Sequence, residues 1–117
     1  MNRDIRDRWS AALQSGKYSQ TTGRLTQGGG FCCLGVLCDL HSVETGTEWS
    51  VDGQYMESKI SLPTEVVEWA GLRSGDPYVC LTLSGGTYNN EDTCLSILND
   101  DFEFDFDQIA AIIEEEL

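Results

Sequence analysis

Gly30-Phe31-Cys32-Cys33-Leu34-Gly35-Val36-Leu37-Cys38-Asp39-Leu40 is a short apolar run bounded by glycine. A continuous run of this kind belongs in a protein interior, but its length does not separate a buried helix from a buried strand. We read it as a buried helix, with a strand as the alternative, and this choice decides the fold. On its N-terminal side, residues 17–30 are polar and end in Gly28-Gly29-Gly30, a turn or flexible loop. Before them, Ile5, Trp9 and Leu13 recur at i, i+4 and i+8 with Ala12 alongside, and Gly16 follows. That is an amphipathic helix over 4–15, with a glycine suited to the left-handed residue that ends it.

On the C-terminal side, Glu48-Trp49-Ser50-Val51, Asp52-Gly53 and Gln54-Tyr55-Met56 read as a β-hairpin, since Asp-Gly suits a type I′ turn. Leu62-Pro63 opens a short helix to residue 70, closed by Gly71. Residues 78–83 alternate and are β-rich, which predicts a strand, and 84–90 form a loop. A short helix follows over 92–98. The last helix carries the fullest signature: Asp105 as N-cap, Gln108 completing a capping box, and Phe104 with Ile109 as a staple. Ile109, Ile113 and Leu117 share one face, with Ile112 beside them. The sum is a small single α+β domain of several short helices with a modest antiparallel sheet.

The chain has 117 residues, of which 40% are hydrophobic. A domain of that length buries roughly 65% of the surface its unfolded chain exposes. Twenty acids against seven bases give a formal charge of −13. So negative a chain is a poor ligand for nucleic acid or anionic membrane, and it favours a basic partner. The opening Met1-Asn2-Arg3-Asp4 lacks the apolar core of a signal peptide. No apolar run approaches the ~20 residues of a membrane span. The expected location is the cytoplasm, where cysteines stay reduced.

The charge is unevenly placed. Residues 1–73 hold all seven bases and nine acids, whereas 74–117 hold eleven acids and no base. From Glu91 onward the acids come in bursts: Glu91-Asp92, Asp100-Asp101, Glu103, Asp105, Asp107 and Glu114-Glu115-Glu116. Asp101, Glu103 and Asp105 alternate with Phe102, Phe104 and Phe106, which would align carboxylates on one face of an extended segment anchored by the rings. These ten acids are candidates for a partner-binding surface; the plainer reading is a solvated, solubilising flank. Asp101, Glu103, Asp105 and Asp107 also imitate the alternating oxygens of a calcium loop. The turn glycine is missing, however, and Ile112 stands where the bidentate Glu belongs.

Five cysteines are present: Cys32, Cys33, Cys38, Cys80 and Cys94. An odd number leaves at least one thiol outside any intramolecular pairing. Two sulfurs from the apolar run and two from the distant pair would make a four-thiolate structural zinc site, using four of the five. The competing reading is buried free thiols packed as small core residues, with redox chemistry a further alternative. Catalysis is poorly supplied. The single histidine, His41, lies roughly 12 Å of helical rise from Cys33, too far for a direct dyad. Gly28-Gly29-Gly30 is not followed by the Lys and Ser/Thr of a phosphate loop. The expectation is a protein without enzymatic activity.

Four blocks carry a resemblance. They are Trp9-Ser10-Ala11-Ala12-Leu13-Gln14-Ser15-Gly16-Lys17-Tyr18, Gly30 through Asp39, Leu62-Pro63-Thr64-Glu65-Val66-Val67-Glu68-Trp69-Ala70-Gly71-Leu72, and Leu98-Asn99-Asp100 followed by Phe106, Ile109, Ala110 and Ile113. Together they resemble small proteins encoded by phages and prophages. Within that group the chain resembles zinc-containing anti-CRISPR inhibitors of the type II RNA-guided nuclease. The resemblance implies cysteine-held structural zinc, and an acidic surface that binds the nuclease's recognition lobe and blocks target-DNA loading. The chain departs from the group where relatives have glycine after Leu-Asn-Asp, carrying Asp101-Phe102-Glu103-Phe104-Asp105 instead. A zinc-pinned phage interaction module with an unrelated protein partner is the alternative function.

Overall fold

The Asn2 side chain accepts the Ile5 N–H at 3.0 Å and starts helix α1 (Arg3–Gln14). Satisfying an otherwise unpaired helix-start donor in this way stabilises a helix by about 1 kcal/mol. Ile5, Trp9 and Leu13 are buried along one stripe of α1, and Gly16 follows at φ 77°. The computed structural model describes residues 1–80 and 92–117, and only the backbone of Cys80 and Asp92. The stretch read as a turn or loop contains a small antiparallel pair, β1 (Thr26–Gln27) and β2 (Gly30–Phe31), joined by Gly28 and Gly29, both at positive φ.

The apolar run is helical. Helix α2 (Cys33–Thr45) begins at Cys32, whose sulfur accepts the Gly35 N–H at 3.4 Å, and ends at Gly46 in the left-handed region. Residues 33–38 are all buried. A helix apolar on every side is a core helix, and α2 touches α1, β2, α3 (Thr64–Ala70) and α4 (Leu95–Asp100).

The expected hairpin over 48–56 does not form. The turn is present, with Gly53 N–H donating to Ser50 O at 3.1 Å and Ser50 N–H to Gln54 O at 2.9 Å, but no ladder grows from it. The flanking aromatics stack on each other, with centroids 4.9 Å apart, but their polar atoms turn to α2: Trp49 donates to Asp39, and Tyr55 meets His41.

Pro63 immediately precedes α3, and Gly71 closes it at φ 71°. The expected strand over 78–83 is β3 (Tyr78–Cys80) as far as the described residues reach; 81–83 and the expected loop over 84–90 lie outside them. The helix expected from residue 92 starts later. Asp92–Cys94 form β4, paired antiparallel with β3 in the register Tyr78↔Cys94, Val79↔Thr93 and Cys80↔Asp92. Helix α4 follows, and its first turn is capped from outside, since the Asp76 carboxylate accepts Ser96 N–H at 3.1 Å. Helix α5 (Phe106–Glu116) carries the full capping box of Asp105 and Gln108. It lies along α1, and Ile109, Ala110 and Ile113 are fully buried. The result is an α+β domain of five helices and two two-stranded antiparallel ladders among the described residues. Among those residues no helix is long and apolar enough to cross a membrane.

Candidate partner-binding surface and the buried cysteines

The C-terminal acids divide into a turn and a helix stripe. At the turn, α4 unwinds widely: Asp101 and Phe102 N–H both donate to Ile97 O, at 2.8 and 3.0 Å, and Phe104 N–H donates to Leu98 O at 3.0 Å. Glu103 sits at φ 53° inside this turn, a conformation glycine adopts at no steric cost. Residues 101–103 are therefore not extended, although Asp105 is, and the carboxylates do not line one face by strand alternation. The anchoring is also unequal, because Phe106 is buried and Phe104 half-buried while Phe102 remains 38% exposed. The alternating pattern mimics a strand, but the hydrogen bonds that close α4 set the backbone.

Along α5, Asp107, Ala111, Glu114 and Glu115 are exposed on the side opposite Ile109 and Ile113. Asp101, Glu103, Asp105 and Glu116 are exposed as well, and Asp100 is half-buried and accepts from Asn99 Nδ2. Glu114 accepts the hydroxyl of buried Ser10 at 2.7 Å, which ties α5 to α1. Asp107 is favoured by the positive end of the helix dipole. Glu114, Glu115 and Glu116 oppose its negative end at a cost of a few tenths of a kcal/mol each. Among the described residues the ion pairs are Arg6–Asp7, Arg8–Asp4 and Arg8–Glu44. Asp101, Glu103, Asp105, Asp107, Glu114 and Glu115 take part in none. Glu91 lies outside the described residues, as does the side chain of Asp92.

The cysteines have separate local roles. Cys32 caps α2, and burial pushes its thiol up to about 11 despite the helix N–H groups that favour the thiolate. Cys33 is fully buried beside it and donates to Leu95 O at 3.7 Å; burial raises its pKa well above the ordinary thiol value. Cys38 is buried in the same helix, and burial likewise raises it. Cys94 is half-buried and bonded to the Tyr78 hydroxyl. The side chain of Cys80 lies outside the described residues. Among the described residues no three His, Cys, Asp or Glu side chains gather to hold a metal ion. Cys33 and His41 are not brought together either, each being engaged by a different partner.

The second half of α2 holds a feature that sequence reading missed. Asp39 accepts from Tyr18 Oη at 2.7 Å and from Trp49 Nε1 at 3.1 Å. His41 Nδ1 lies 2.5 Å from Tyr55 Oη, and Glu44 accepts from Trp69 Nε1 at 2.6 Å and Arg8 Nη1 at 2.9 Å. The rings form a continuous arc, Tyr18–Phe31–Trp49–Tyr55–His41–Trp69, with successive centroids 4.9–5.7 Å apart. Hydrogen bonds from Arg8 and Trp69 hold the Glu44 carboxyl below its ordinary value. Burial pulls His41 down, against the opposing pull of Glu44 and Glu65. The one advance signal is that Asp39, His41 and Glu44 lie in the helix that begins as an apolar run, and it does not reveal their distant partners.

No curated protein and no solved structure matches the chain. A family model matches all of it, residues 1–117. The chain belongs to the family described as domain of unknown function DUF8296.

Proposed function

We propose that the chain is a protein-binding module whose acidic turn and α5 stripe occupy a basic surface on a nucleic-acid-handling partner. In its narrowest form the partner is the type II RNA-guided nuclease, met at its recognition lobe in the host cytoplasm, and the consequence is exclusion of target DNA. The observation that supports this reading is the placement of charge: the exposed carboxylates of Asp101, Glu103, Asp107, Glu114 and Glu115, in none of the ion pairs among the described residues, stand on backbone fixed by the closing turn of α4 and the capping box of α5. No Lys or Arg follows Arg73 to offset them.

Such a nuclease holds its guide–target duplex in a positively charged channel read through backbone phosphates. A fixed array of carboxylates offers the same channel a competing polyanion. Charge complementarity of this kind speeds encounter and makes it sensitive to salt. Asp101, Glu103, Asp107, Glu114 and Glu115 would meet lysines and arginines directly, whereas Asp105 serves the surface by holding the first turn of α5.

The test is a DNA-cleavage assay with a triple variant, Asp101→Lys, Glu103→Lys and Glu115→Lys, which spares the Asp105 cap. The wild type is expected to inhibit, more weakly as salt rises, and the variant to fold with at least a tenfold loss of inhibition. Full inhibition by the folded variant would overturn the electrostatic mechanism. Cleavage unaffected by saturating wild type would remove the nuclease as partner.

A further inference from the structure

We propose that His41 and Tyr55 form an acid-released latch, which holds the loop over 46–61 against α2 at neutral pH and lets it go when His41 takes up a proton. The geometry is that of a closed clasp. Tyr55 is fully buried and His41 is 6% exposed. The imidazole stands edge-on to the rings of Tyr55 and Trp69, with centroids 5.6 and 5.0 Å away. In the closed clasp the phenol donates its proton to His41 Nδ1 at 2.5 Å. That assignment makes His41 a neutral imidazole protonated on Nε2, with the tautomer set by the partner of the other nitrogen. Protonation of Nδ1 replaces the acceptor of that bond with a second donor and leaves a charge where burial keeps water away.

The surrounding charges do not undo this. Glu44, on the same helix, already accepts from Arg8 of α1 and Trp69 of α3. Glu65 of α3 is the other carboxylate acting on the ring, and Asp39 and Cys38 act on the Tyr55 side. Burial outweighs Glu44 and Glu65, so the closed form binds a proton less readily than an exposed histidine does. An open loop returns His41 toward its ordinary pKa of about 6.5. As pH falls below that value the open form gains progressively, tenfold for each unit separating the two pKa values, until the closed form also protonates.

The loop is built to respond. Tyr55 and Ser58 exchange both backbone hydrogen bonds, at 2.9 and 2.8 Å, around Met56 and Glu57. Those two residues sit at φ 49° and 71°, a left-handed pair that side chains other than glycine hold at a cost. The buried Tyr55 ring fixes one end of that strained turn. Release relaxes the turn and uncovers the middle of the aromatic arc.

His41 is the single histidine of the chain, so its ring signal in a proton NMR titration is unambiguous. The experiment follows that signal from pH 7.5 to 5 together with amide-exchange protection factors. The expected result is a His41 midpoint below 6.5, with protection at the Tyr55 and Ser58 amides falling across the same interval by the factor that this midpoint sets, tenfold per unit below 6.5, while α5 is unchanged. His41→Gln keeps an acceptor but does not titrate, and should abolish the step. Tyr55→Phe removes the clasp and should show low loop protection already at pH 7.5, with His41 titrating near its ordinary value. Loop protection that stays constant while His41 titrates, or an acid step retained in His41→Gln, would overturn the latch.

Discussion

Asn99 uses every hydrogen-bonding position its side chain has. Its oxygen accepts Cys33 N–H at 3.2 Å and Gln20 Nε2 at 2.9 Å. Its nitrogen donates to Thr21 O and to Asp100 Oδ1, both at 2.8 Å. At 1% exposure it fastens α4 to the start of α2 and to the chain at residues 20–21. Replacing the amide by a carboxylate keeps the shape and removes both donors. We expect Asn99→Asp to cost about 3 kcal/mol at pH 7, since a buried charge then faces a carbonyl and a second carboxylate. The folded-state pKa of the new acid lies above its unfolded value, so the loss should shrink as pH falls and the protonated form regains one donor. Urea midpoints at pH 7 and pH 5, at unchanged slope, read both statements. Sequence reading singled out the neighbouring acids and cysteines but not this residue, because nothing in Leu98-Asn99-Asp100 names partners at 20, 21 and 33.

At the scale of elements, α2 rests on the backbone of Leu25. A methyl group on Gly35 would stand 1.9 Å from Leu25 O, and that same oxygen accepts Cys32 N–H at 3.0 Å, so neither side can retreat alone. Alanine gains about 1 kcal/mol over glycine in helix propensity. The clash exceeds that gain, and Gly35→Ala should destabilise by about 3 kcal/mol net, read as a lowered denaturation midpoint. The burial of 31–40 was legible from its apolar character and glycine bounds, but not the choice of helix over strand nor the bounds of α2. Helices α1 and α5 were legible from their periodicity and caps. Elements fixed by partners far along the chain were not. Trp49 and Tyr55 sit at hairpin-like spacing, yet Asp39 and His41 claim them. Asp92–Cys94 carry a helix-like pattern, yet pairing with β3 takes them first. The acidic site was legible as a count and a position; the turn that shapes it depends on Ile97 O and Leu98 O.

For the whole molecule the dominant long-range term is charge. At −13, with the negative excess gathered toward the C-terminal third, the folded state repels itself. Salt screens that repulsion within about 10 Å at 0.1 M. The exposed pairs Arg8–Asp4 and Arg8–Glu44 weaken at the same time, but such pairs contribute less than about 1 kcal/mol each. We therefore expect thermal stability to rise with sodium chloride from 20 to 500 mM, by about 1 kcal/mol or about 4 °C in a domain of this size. A melting temperature that falls with salt would show that local pairs outweigh the global field. The contact between α1 and α5 also sets an order of events during synthesis. Ile5, Trp9 and Leu13 leave the ribosome before either partner of their helix; α2 covers part of α1, and the larger contact waits until residues 106–116 emerge. The helix that completes the interior carries the acidic stripe on its outer side. A nascent chain thus acquires its finished core and its outward-facing charge in one step, and truncated products would possess neither.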